Sequence, residues 1–310
     1  MLTLEQSINS YLSINVDSPY PSWDNTTSFA FATTVYFENY HYKSVIENNQ
    51  GNTPSLSPLY WLKIESSNTY SAIDLKSKTK TICDSTTKTG GNAPYDLIME
   101  FETSRYDAIS LGNVRGTDII IEVFETGDYV NAVETITQKI ETRYTVDSWF
   151  NYFYSPLIPD LTEFERNFYF RIKAVTGKIR VTITEGYGAY SSVSYMLSGK
   201  TEYIADTLFN VGMSLTDYSK TDTDEFGVTE VQKRDVRESL DINIQFDSKR
   251  INHVRRSIKR KQGEILLFIV DESIDSAYEN LQILGYIEDY NTVLSNAIQT
   301  QASITVSENL

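Results

Sequence analysis

One cysteine and two histidines in 310 residues leave little material for redox or metal chemistry. Cys83 has no partner for a disulfide within the chain, so packing alone must supply stability. His41 and His253 are the whole histidine complement, and with a single thiol they give no cluster at metal-ligand spacing. Long apolar runs are also missing. None approaches the ~18 residues that a spanning helix needs, and Met1-Leu2-Thr3-Leu4-Glu5-Gln6 has neither the basic start nor the apolar core of a signal peptide. The expectation is a soluble chain made in the cytoplasm, with no membrane insertion. Cations are scarce: 27 Lys and Arg against 42 Asp and Glu leave a net charge of −15, which argues against a general affinity for nucleic acid. No G-x-S-x-G elbow and no phosphate loop occurs, and Gly90-Gly91 and Gly186-Tyr187-Gly188 are assigned to turns. No catalytic residue, cofactor or metal is expected, and the chain is not expected to be an enzyme.

Strand signals dominate what is present. Phe168, Phe170, Ile172 and Ala174 alternate with Tyr169, Arg171 and Lys173; a Thr176-Gly177 turn then leads to Ile179, Val181 and Ile183, a pattern that predicts a β-hairpin. Thr117 to Phe124 is rich in β-branched residues and predicts a neighbouring strand. The aromatic run Trp149 to Tyr154, before a Pro156 to Pro159 turn, is expected to alternate between two faces and to serve core packing. Short strands in this number predict a jelly-roll-like β-sandwich over residues 66–197.

The last third has its own pattern. Leu240, Ile242, Ile244 and Phe246 alternate with polar residues; Lys249 to Lys261 then places Ile251, Val254 and Ile258 at i, i+3 and i+7, the stripe of an amphipathic helix, with Gly263 at its end. Apolar residues 265–270 read as a strand covered on both faces, followed by strands at Leu281 to Ile287 and at Ile298 to Val306. Strand, helix, then three strands is met most simply by one helix packed on a curved sheet. His253 is expected to face solvent on the helix, and His41 to be a packed or edge residue of an aromatic strand. Seven of the 27 cations fall in those thirteen helix positions. In an acidic protein this marks either a solvated face or a docking surface, and Lys249, Arg250, Arg255, Arg256, Lys259 and Arg260 are the candidate assembly residues. Asp222, Asp224 and Glu225 begin like a calcium loop, but Phe226 and Lys233 stand where ligands belong, so a turn between strands is expected.

Two resemblances add to this reading. Trp23, the run Val35 to Tyr42, the turn Asn48 to Pro54 and the closing Ser57-Pro58-Leu59-Tyr60-Trp61 resemble the small chitin-binding modules of carbohydrate-binding family 5/12. Such modules stack sugar rings on flat aromatic side chains. The resemblance implies a sugar-binding module over residues 20–65, with Trp23, Tyr42, Tyr60 and Trp61 as candidate contacts; Trp23 is expected in the core, and Trp61 with Tyr60 at the surface. The stretch Val211 to Thr229 resembles a signature of tail proteins of double-stranded DNA phages, a likeness extended by Asp147 to Phe153 and Leu284 to Tyr290.

The combined expectation is a mainly β protein with an N-terminal arm (1–19), the small module (20–65), the sandwich (66–197) and a C-terminal β domain with one packed α-helix (198–310). The resemblances imply a virion location and a structural role in a phage tail, as an oligomeric ring. Expected partners are other copies of the chain, neighbouring tail or fibre proteins, and host surface polysaccharide. Two alternatives stay open: a tail-associated polysaccharide depolymerase, and a fibre-attachment or decoration protein that binds no glycan.

Overall fold

Period-2 alternation of β-branched and aromatic residues decides this chain's structure, which is mainly β. The computed structural model describes residues 1–77, 79–140, 149–154, 166–186, 190–208, 211–223, 226, 229–234, 236–270, 281–293 and 298–309. Contacts divide the chain into two units, one of residues 8–198 and one of residues 1–7 with 199–310.

In the first unit, β7 (Leu97–Ser104), β9 (Asp118–Glu125) and β12 (Thr176–Ile183) form the centre of a five-stranded antiparallel sheet. Its order is β10-β9-β12-β7-β2, where β10 is Glu134–Lys139 and β2 is Ser13–Ile14. A second sheet has the order β11-β8-β14, formed by Arg166–Arg171, Ala108–Val114 and Tyr195–Gly199. A smaller pair joins β6 (Thr81–Cys83) to β13 (Ser191–Val193). Met99, Phe101, Ile121 and Val181 of the first sheet share one core with Ile109, Leu111, Phe170 and Met196 of the second. Each such side chain contributes roughly 1.5–3 kcal/mol when fully buried, so this shared layer is what holds the two sheets face to face. The outer face of the first sheet carries charge. Arg180 lies opposite both Glu100 and Glu122 across the strands, at 2.7 and 3.3 Å, and Lys178 reaches Glu100 at 3.2 Å.

The module has its own three-stranded sheet, β3 (Thr34–Phe37), β4 (Tyr40–Ser44) and β5 (Trp61–Ser66), over a small core of Phe29, Val35, Tyr42 and Trp61. It belongs to the same unit as the sandwich.

The second unit is built on a sheet of order β15-β1-β21-β22-β23-β20-β16. The strands are β1 (Leu2–Leu4), β15 (Thr201–Tyr203), β16 (Asp206–Thr207), β20 (Val236–Asp247), β21 (Leu266–Ile269), β22 (Gln282–Val293) and β23 (Gln299–Glu308). β17 (Gly212–Asp217) pairs with the first half of β20, and β18 (Lys220–Thr223) with β19 (Thr229–Gln232). Before the helix, the Asp247 carboxylate accepts the Lys249 N–H at 2.9 Å. Helix α2 (Ile251–Lys261) then buries Val254 and Ile258 against Leu240, Ile242, Phe268 and Ile304. All four residues of β21 are buried. The expected order of strand, helix and three strands is present.

Several expectations are corrected. Residues 1–19 are not a separate arm: Leu2 to Leu4 pair with β15 and β21, and Ser13 and Ile14 pair with β7. The predicted hairpin does not form. β11 pairs with β8, whereas β12 pairs with β7 and β9, so residues 172–175 carry the chain from one sheet to the other and Thr176 begins a strand. Alternation identified both strands, but turn residues do not say which sheet the next strand joins. At Gly177 a Cβ would lie 2.1 Å from the Phe124 carbonyl oxygen, so glycine lets β12 pass this close to β9. Trp149–Tyr154 is a short helix, α1, and not a strand, and Trp149, Phe153 and Tyr154 are exposed instead of packed in a core. Helical i, i+4 spacing stacks the Trp149 and Phe153 rings at 6.0 Å. The Pro156 to Pro159 turn, Asp147-Ser148, and Tyr187-Gly188 lie outside the described residues.

Candidate functional site

The candidate sugar-binding rings do not form a common surface platform. Trp61, expected at the surface, is 2% exposed. Its indole N–H donates to the Asn52 carbonyl at 2.8 Å, and its ring meets Phe29 edge-on at 5.5 Å. The Asn-rich turn folds inward around it. Asn49 is buried and donates to Ser44 Oγ and to the Tyr60 carbonyl, both at 3.1 Å, and Asn52 donates to Asn49 at 2.8 Å. A turn of this composition therefore satisfies the polar groups around a buried tryptophan. Tyr42 is buried in the same small core. Trp23, expected in the core, is half-buried at its margin, edge-on to Phe37 at 5.2 Å. Tyr60 is 39% exposed. The roles of Trp23 and Trp61 are thus exchanged, because a forty-residue unit has room for one large ring and selects the one whose N–H finds an acceptor. Exposed apolar residues of this region, Phe31, Leu56, Leu59, Leu62 and Ile64, are mostly aliphatic.

On the basic helix, Arg255, Arg256 and Lys259 are exposed, as are His253 and, ahead of the helix, Lys249. Arg250 is half-buried with its guanidinium over the Tyr203 ring. Arg260 and Lys261 both reach Glu202 of β15 at 3.0 Å, and Ser257 Oγ also donates to it. Burial opposes ionisation of Glu202, but the Ser257 hydrogen bond and the two cations more than offset it, so its carboxyl lies below the usual carboxylate range. Arg260 therefore ties the helix to the sheet edge, Arg250 meets the same strand at Tyr203, and the other four candidate cations are exposed.

A surface that sequence reasoning did not single out is the two-stranded ribbon of β17–β20 and β18–β19. Gly212 to Asp217 pair with Asp241 to Val236, and the pairing resumes from Lys220–Gln232 to Thr223–Thr229. All six residues of β17 are exposed. Leu215 is 72% exposed and Phe226, at the tip, 89%; Met213, Val231 and Val236 are exposed as well. Among the described residues β17 pairs with β20 alone, leaving its outer edge open. Asp222 is exposed on β18 with Lys220 Nζ 3.7 Å away; Asp224, Glu225 and Gly227 lie outside the described residues. Among the described residues no group of three or more His, Cys, Asp or Glu could hold a metal ion, and no helix is long and apolar enough to cross a membrane.

His41, for which the sequence names no partner, is buried and has two. Ser18 Oγ lies 2.9 Å from Nε2 and Glu65 Oε1 lies 3.4 Å from Nδ1. Glu65 stands directly opposite His41 in the β4–β5 pairing, a juxtaposition that becomes legible only once the bulge in β5 fixes the register. Of the sandwich acids that could serve a glycan-cleaving pair, Glu100 and Glu122 are both bound to Arg180. Comparison with known proteins finds no matching family model, no matching curated protein and no matching solved structure.

Proposed function

We propose that the chain is a structural component of a phage tail that assembles with copies of itself into an oligomeric ring, with the ribbon of residues 212–241 as the main contact. The observation that carries the oligomeric half is the exposure of β17 on both faces together with its open edge. Beyond Ser239, where β20 parts from β23, the ribbon is two-stranded, and a two-stranded ribbon is marginal in water, whereas full burial of a side chain such as Leu215 or Val231 returns roughly 1.5–3 kcal/mol. An edge that offers unpaired N–H and C=O groups can add a strand from a neighbour, and a head-to-tail contact of this kind closes into a ring when the rotation allows. The tail location rests on the resemblance carried by Val211 to Thr229. The exposed cations of the basic helix are a second contact in the same reading, suited to an acidic neighbour such as another copy of this −15 chain.

Native mass measurement on the full chain tests the oligomer, and labelling of the protein in intact particles tests the location. Glycan contact, if it occurs, falls to Tyr60 and Trp23, because Trp61 and Tyr42 are inside the module. Polysaccharide pull-down with the native chain and with Tyr60→Ala separates the adhesive version from a purely structural one, for which the two give equal, background recovery.

A further inference from the structure

We infer that Ser18, His41 and Glu65 form an acyl-ester hydrolysing site, with Ser18 as nucleophile, His41 as general base and Glu65 as the residue that orients the imidazole. The three side chains stand in the sequence such chemistry needs: hydroxyl on Nε2 at 2.9 Å, carboxylate on Nδ1 at 3.4 Å, the two ring nitrogens serving opposite partners. The arrangement goes beyond the assembly role proposed above and does not depend on it.

The chain holds these groups in place from several directions. His41 is 3% exposed, sits in β4 and meets Tyr20 edge-on at 4.8 Å. Ser18 is half-buried on the segment after Val16, itself buried. That segment is fixed by Asp17, whose N–H donates to the Thr87 carbonyl at 2.7 Å and whose carbonyl accepts from Asn68 Nδ2 at 3.3 Å. Pro19 narrows the backbone freedom of Ser18. The Tyr20 N–H donates to Ser18 Oγ at 3.2 Å, occupying a lone pair and leaving the hydroxyl hydrogen for Nε2.

His41 and Glu65 line a pocket of about 200 Å³, together with Pro19, Tyr20, Asn68 and Lys80; Ser18 does not line it but adjoins it through Pro19 and its contact with His41. Drug-sized ligands occupy roughly 300–1,000 Å³, so this pocket suits a short acyl group of acetyl size on a larger alcohol that stays outside. In the reaction, Ser18 Oγ bonds to the ester carbonyl carbon as its proton passes to His41 Nε2. The tetrahedral oxyanion then collapses, the bond to the alcohol oxygen breaks, and that oxygen takes the proton from His41. Water, deprotonated by His41, releases the acid and restores the Ser18 hydroxyl. Lys80 lines the same pocket, beside the carboxylates of Glu65 and Asp84, and is the cation this scheme offers to the oxyanion.

The test uses the full chain, 4-nitrophenyl acetate as substrate and a fluorophosphonate as a probe of activated serines. The expected results are hydrolysis above the buffer rate, a phosphonyl adduct mapped by mass spectrometry to Ser18, and a fall of about 100-fold or more in Ser18→Ala. Glu65→Gln should lower kcat with KM nearly unchanged, as suits a positioning residue; a merely structural carboxylate would leave that ratio alone. His41→Gln should abolish labelling, and if it fails to fold, Ser18→Ala and the adduct site decide the question. An unlabelled Ser18 under conditions that label a known serine hydrolase, or a Ser18→Ala chain as active as the native one, would overturn the inference and leave a hydrogen-bonded strut.

Discussion

Strands β9 and β17 are written in the same alternating code and end in opposite environments. In β9, Ile119, Ile121 and Val123 are buried against a second sheet while Ile120 and Glu122 stay half-exposed. In β17, Met213 and Leu215 alternate with Ser214 and Thr216 just as regularly, and every residue is exposed. Alternation therefore specifies a strand and its preferred face, but what covers that face depends on which elements are available to pack on it. For β9 the partner is within the chain. For β17 we place it on another copy.

The sharpest way to break this comparison is to put the same charge in both strands. Ile121→Asp buries an unpaired carboxylate in the sandwich, a cost that exceeds typical domain stability or nearly so, and should abolish cooperative thermal unfolding of residues 8–198. Leu215→Asp should leave far-UV circular dichroism and melting of the isolated chain within about 0.5 kcal/mol of native, as for surface changes, and should abolish assembly. If Leu215→Asp melts like Ile121→Asp, the ribbon is covered within one chain. A smaller effect is expected where the sandwich packs backbone against ring. A Cβ at Gly112 would fall 1.9 Å from the Tyr195 ring, so Gly112→Ala should lower stability by about 1–3 kcal/mol through displacement of that ring, read by denaturant titration.

How much of this was legible without coordinates follows from the same contrast. The strands β9, β12, β20 and β23 and helix α2 are visible because each has one face covered by its own chain, so burial and sequence period agree. Sheet membership is not visible: β11 and β12 are adjacent in sequence and alternate alike, but their partners are β8 in one case and β7 with β9 in the other. The aromatic run at Trp149 fits both periods over six residues, and the helical one won. The exchange of Trp23 and Trp61 turned on a single acceptor, the Asn52 carbonyl, which no spacing rule reveals. Ser18 and Glu65 lie 23 and 24 residues from His41; the β4–β5 register brings in Glu65, and the Asp17 bonds to Thr87 and Asn68 place Ser18.

Two weaker effects sharpen the picture within each unit. Glu202 has a carboxyl below the usual range in the folded state, so its contribution to holding α2 on β15 is fully present above the ordinary carboxylate range and is lost as pH falls through the depressed value. Glu202→Gln should therefore lower the stability of residues 199–310 at neutral pH and converge with the native chain at acid pH, which flattens the acid limb between. Burial pushes the Cys83 thiol up to about 11, so at neutral pH the native chain should react with iodoacetamide far more slowly than the unfolded chain, with the difference vanishing in denaturant. Equal rates would show that the β6–β13 edge of the core opens readily.

The most direct measurement is the native mass of the full chain across a dilution series, run beside Leu215→Asp. The account predicts a mass that is an integral multiple of the chain for the native protein and a single chain for Leu215→Asp at the same concentration. A native protein that stays a single chain at every concentration, or a Leu215→Asp chain that assembles as the native one does, would contradict it.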